Sequence, residues 1–93
     1  MGRRSRAQSL ITEHEEMEDS DEMFIVVYDF HDLKPSKKFW HNLRRISQDK
    51  EETGLIQYSV YKAQGIKEAL IVSKLAESYG AESLIFQAEE YTR

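Results

Sequence analysis

The stretch Phe24-Ile25-Val26-Val27-Tyr28-Asp29-Phe30 constrains this chain more than any other. It is a run of β-branched and aromatic residues closing on a carboxylate, followed by His31 and Asp32. Such residues suit a pleated, packed surface, and the run is apolar at both parities. Alternation puts Phe24, Val26, Tyr28 and Phe30 on one face of a strand, and Ile25, Val27 and Asp29 on the other. The reading is a central strand that delivers Asp29 to a surface. Two apolar faces need two covers, and a chain of 93 residues is short of material for the second, so a second subunit is expected.

The length allows one domain. With no cysteine in the sequence, disulfide frameworks, thiolate zinc sites and thiol nucleophiles are excluded, and a reducing cytoplasm is the expected compartment. No apolar run approaches the ~20 residues of a membrane span, so no membrane partner is expected. The formal charge of −4 is unevenly distributed: residues 1–22 hold three arginines and seven acids, leaving ten basic and ten acidic side chains in residues 23–93. The folded part is formally neutral, and its local charge distribution decides what it can bind.

Residues 1–22 read as a flexible charged tail, basic first and acidic afterwards, with Leu10, Ile11 and Met17 its only large apolar residues beyond Met1. That composition buries too little surface to offset the entropy of ordering. Thr12 and Glu15 have the spacing of a capping box, so a transient helix is the alternative. The acidic half is expected to compete with nucleic acid for the basic helix described next.

The domain is expected over residues 23–93. Pro35 suits a first helical position. Phe39, Leu43 and Ile46 then form an apolar stripe flanked by Trp40, while Lys37, Lys38, Arg44 and Arg45 lie off it. The charged stretch 49–54 ends that helix. Residues 55–62 read as one strand, or as two short strands with a bend near 57–59, and 63–65 as a turn. A second amphipathic helix runs from Ile66 to Tyr79, with Gly80 placed to accept the left-handed conformation past its end. Residues 83–88 form the last strand, with Leu84, Phe86 and Ala88 expected inward. Right-handed crossovers through the two helices then give an α+β, ferredoxin-like βαββαβ sandwich, an antiparallel sheet with two helices on one face.

The first strand, together with Gln57-Tyr58-Ser59-Val60-Tyr61 and the element order, resembles the CRISPR-associated Cas-two family over about residues 23–88. The family has an apolar strand ending in Tyr-Asp, a basic helix and a Gln-x-Ser-Val-aromatic strand. The resemblance implies a homodimer that contacts RNA or DNA backbones and a Mg²⁺ or Mn²⁺ ion at the Asp matched by Asp29. It also implies metal-dependent endonuclease activity, or a non-catalytic place beside a Cas-one integrase in spacer acquisition. The family's strand Ser and aromatic match Ser59 and Tyr61. The chain departs from the family at Ser36 and Leu55, where Arg is common, and at Lys62, where Glu is common. A toxin-like ribonuclease of the virulence-associated D type is a further alternative on this fold.

Phosphodiester hydrolysis needs charge neutralisation at phosphorus, an activated water and a stabilised leaving oxygen, which a cation on hard oxygen ligands supplies. Asp29 is the candidate ligand, with His31 and Asp32 as candidate base or supporting groups. The plainer alternative is that Asp29 caps a strand end and Asp32 supports the turn before Pro35. Lys34, Lys37, Lys38, Arg44, Arg45 and Lys50 are the candidate phosphate contacts, with a solvated helix face balanced by Asp49, Glu51 and Glu52 as the alternative. Trp40, Tyr58 and Tyr61 could stack on bases, although aromatics at such spacings more often lie in a core.

Overall fold

The computed structural model describes residues 5–47, 54–57, 59–89 and 91. The elements in chain order are α1 (Arg6–Glu13), β1 (Met23–Asp29), α2 (Lys37–Ser47), β2 (Gly54–Gln57), β3 (Val60–Gln64), α3 (Ile66–Ser78) and β4 (Glu82–Ala88). The four strands form one sheet in the order β2-β3-β1-β4, with every neighbouring pair antiparallel. From β1 onward this is the split βαβ arrangement of the ferredoxin-like fold. Residues 55–62 resolve into the two-strand alternative, with a register irregularity between Leu55 and Gln57.

One face of the sheet carries the core. Phe24, Val26, Tyr28 and Phe30 are buried, as are Tyr61 and Ala63 of β3. Phe39 of α2 brings its ring 5.5 Å from Tyr28 and 5.0 Å from Phe30, in edge-on contacts, the arrangement that aromatic quadrupoles favour. Leu43 and Ile46 continue the α2 stripe, and Ala69, Val72, Leu75 and Ala76 bury α3 beside it. The start of α2 differs from the expected one. Ser36, not Pro35, sets it, its hydroxyl accepting from the Phe39 N–H at 3.2 Å, because a side-chain oxygen satisfies an open helix donor and a proline ring cannot.

The last strand has the opposite orientation to the one expected. Register pairs Val26 with Ile85 and Tyr28 with Ser83, while Ile25 faces Phe86 and Val27 faces Leu84. Ser83 and Ile85 therefore point to the helices, and Leu84 and Phe86 are 63% and 52% exposed. Alternation shows which residues share a face but not which face is covered. Together with Ile25, Val27 and Val60, and with Lys62 opposite Ile25, these two residues make the other side of the sheet an uncovered, largely apolar surface.

The expectation of a tail apart from the domain is also corrected. Residues 6–13 form a helix, capped by the Ser5 hydroxyl accepting from the Gln8 N–H, and this helix packs on α2 and α3 with Ala7 and Leu10 buried. The cap is Ser5, upstream of the Thr12–Glu15 spacing. Few apolar residues suffice because polar contacts fasten the segment. The Ala7 N–H donates to Asn42 Oδ1 at 2.7 Å, and Lys67 Nζ donates to the Glu15 carbonyl at 2.9 Å. Downstream, Ser20 Oγ and Asp19 Oδ1 accept from the Ile66 and Lys67 N–H groups. The N-terminal segment thus supplies the cap that Gly65, the residue at the start of α3, has no side chain to make.

Candidate functional site

Asp29 closes β1 on the uncovered face of the sheet. Its Oδ1 accepts from the His31 N–H at 2.7 Å, an Asx-type contact that tightens the chain reversal. His31 has φ 55°, a left-handed conformation uncommon outside glycine and asparagine. That turn returns the imidazole towards the sheet, with Nδ1 3.4 Å from Asp29 Oδ2 and Nε2 3.3 Å from Glu82 Oε1. Asp29 and Glu82 are register partners at the paired ends of β1 and β4. Two carboxylates opposed across strands repel each other, and the His31 ring lies against both. All three side chains are more than half exposed, so these pairs add little to stability.

No local motif marks Glu82 in the sequence. Its partnership with Asp29 arises from the antiparallel register of strands more than 50 residues apart in sequence. Asp32 is exposed within the turn after β1, and its side chain makes no hydrogen bond or ion pair among the described residues, so the structure brings Asp29 and His31 together and leaves Asp32 out.

Tyr61 is not at a surface. It is fully buried on the helix-facing side of β3, and its hydroxyl donates to Glu68 Oε2 at 2.6 Å, so its expected contact with nucleic acid gives way to a core role. Ser59 is exposed in the turn before β3, where its carbonyl accepts from the Tyr28 N–H. Trp40 is half-buried and packs edge-on against Phe39. Lys34, Lys37, Lys38, Arg44 and Arg45 are all exposed. The four on α2 belong to the helical layer, whereas Asp29 points to the opposite side of the sheet. Lys50 and Tyr58, together with Asp49, Glu51 and Glu52, lie outside the described residues. In the acidic half of the N-terminal segment, the Asp19 carboxylate and the Glu15 carbonyl meet the first turn of α3 at Lys67.

Among the described residues, no three His, Cys, Asp or Glu side chains converge on a point that could hold a metal ion. Asp29 nevertheless offers an exposed hard oxygen donor, with Glu82 its cross-strand neighbour, and Mg²⁺ commonly takes only one or two carboxylates, with waters and substrate phosphates completing its shell. The donor set fits an open Mg²⁺ or Mn²⁺ site better than a closed cage. Among the described residues, no helix is long and apolar enough to cross a membrane.

Fold and site together define an α+β, ferredoxin-like domain with an uncovered apolar sheet face edged by exposed carboxylates. No family model, curated protein or solved structure matches the chain.

Proposed function

We propose that the protein acts as a homodimer of the Cas-two type, a subunit of CRISPR spacer acquisition that binds RNA or DNA backbones and hydrolyses phosphodiesters with Mg²⁺ or Mn²⁺ held at Asp29. The observation that carries this reading is the position of Asp29 at the edge of an uncovered apolar sheet face. A second copy seated on that face would give each sheet its missing cover and place two Asp29–Glu82 pairs near one another. Asp29 and its copy in the partner subunit would hold the ion. When bound, it would neutralise charge on the phosphoryl oxygens and make its water more acidic. His31 would accept a proton from the attacking water as that water's oxygen bonds to phosphorus and the bond to the leaving oxygen breaks, and the leaving oxygen would take a proton from solvent.

The test is cleavage of single-stranded RNA and duplex DNA with Mg²⁺ by wild type and Asp29→Ala. The reading expects activity in wild type alone; equal activity in both proteins, or none in either, would sink the hydrolytic part. A non-catalytic scaffold that engages a Cas-one integrase is the second reading. It is favoured by the imidazole of His31 already lying against both carboxylates, and by the placement of the α2 cations across the sheet from Asp29. Binding of duplex without cleavage, unchanged by Asp29→Ala, would select it.

A further inference from the structure

We infer that the N-terminal end of α1 and the outer side of α2 form one continuous track for a nucleic-acid backbone, with Arg6 as an integral contact. The inference rests on the nucleic-acid-binding reading above and assigns the surface that serves it.

The exposed side of α2 carries Lys37, Lys38, Arg44 and Arg45 and no acidic residue. Two of these lysines sit in the first turn, where the helix dipole disfavours cations. No described carboxylate pairs with any of the four. The N-terminal segment adds to this strip instead of neutralising it. Arg45 Nη1 donates to Ser5 Oγ at 3.3 Å, and the Ala7 N–H donates to Asn42 Oδ1, one turn away on the same helix.

Arg6, between those two contacts, is exposed but held. Its Nη1 donates to the Ser78 carbonyl at 2.9 Å, and its guanidinium lies 4.5 Å from the centroid of the Tyr79 ring. A guanidinium has five N–H donors in a planar fork, so a cation anchored through one of them keeps the others for phosphate oxygens. Arg3 and Arg4 immediately precede this end in the sequence. The Asp19 carboxylate of the segment is directed to the start of α3.

From Lys37 to Arg45 the helix rises about 12 Å, a length over which a duplex displays about seven phosphates. Four cations along that length, with Arg6 beside them on α1, suit a backbone read without regard to sequence. A lipid surface fits less well, because the apolar faces of α1 and α2 are buried and leave nothing to insert between acyl chains.

The experiment is fluorescence anisotropy of the full chain with a labelled DNA duplex between 50 and 200 mM salt. Five phosphate contacts predict a log–log slope of about −4.5, a loss of about 500-fold across that range. Arg6→Gln, which keeps a donor for the Ser78 carbonyl, is expected to reduce the slope to about −3.6 and the loss to about 150-fold. Arg6→Lys is expected to retain the wild-type slope. An unchanged slope in Arg6→Gln alongside a reduced one in Arg44→Gln would overturn the place given to Arg6 and leave the binding reading intact. Absence of duplex binding by wild type at 50 mM salt would overturn both. Binding to phosphatidylserine vesicles that duplex fails to displace would assign the strip to a membrane and overturn the inference.

Discussion

Phe86→Ala should weaken the proposed dimer strongly. Phe86 is 52% exposed on the uncovered sheet face, opposite Ile25. A phenylalanine side chain covers ~200 Å², so about 100 Å² of it is open to a partner. Alanine would retain a minor part of that contact, and at ~25 cal/mol per Å² the loss is roughly 1.5–2 kcal/mol per protomer. A two-fold interface uses the residue twice, so the dimer loses roughly 3–4 kcal/mol, which raises its dissociation constant roughly 200- to 800-fold. Sedimentation equilibrium over a dilution series measures this directly. Leu33→Ala is the control, since Leu33 is 59% exposed but lies in the loop after β1, and it should leave the constant unchanged. A monomeric wild type at tens of micromolar, or a Phe86→Ala constant within threefold of wild type, would refute the assignment of this face to a second copy.

Two further predictions concern the fold. The Tyr28 hydroxyl is buried without a hydrogen-bond partner among the described residues, so Tyr28→Phe should raise stability by about 1 kcal/mol in urea denaturation; a loss of that size would reveal a bond the structure lacks. Burial also pushes the Tyr28 phenol far above its ordinary value of 10.0. The folded chain therefore keeps a proton that the unfolded chain loses, and the associated stability, complete below pH 10, declines as pH rises above it. Alkaline unfolding of Tyr28→Phe should accordingly be less steep than that of wild type, and identical profiles would contradict this. Gly65 has φ 91°, and a Cβ there would meet Asp19 Oδ1 and come within 2.6 Å of the Ser20 carbonyl oxygen. Gly65→Ala should cost about 2–4 kcal/mol through backbone strain and a displaced cap on α3; a thermal midpoint within 2 °C of wild type, against the ~4–8 °C expected per kcal/mol, would show the N-terminal segment to be loosely held.

Strong, uninterrupted patterns were legible in the sequence. The β1 run, the Phe39–Leu43–Ile46 stripe and the glycine after α3 each carry a local physical requirement, and together they determine the order of elements. Features that depend on distant partners were not legible. The orientation of β4 turns on pairing with β1, since Ile85 and Phe86 are equally apolar and only the register decides which one meets the helices. Glu82 joins Asp29 by the same register. The N-terminal segment is short of apolar residues, yet it folds onto the helices because Asn42, Ser78 and the open end of α3 present polar partners to it. Tyr61 shows the opposite limit. A motif position suggested a surface role, but the parity of β3 places the ring in the core and its hydroxyl on Glu68.

The central claim, that two copies meet through the open sheet face and bring their Asp29 carboxylates to a shared cation site, is tested most directly by anomalous diffraction from crystals of the full chain soaked in Mn²⁺. A manganese peak contacted by Asp29 of both protomers across a face-to-face sheet interface is the expected result. Crystals in which the Asp29 carboxylates point away from any two-fold partner, with manganese elsewhere or absent, would contradict it.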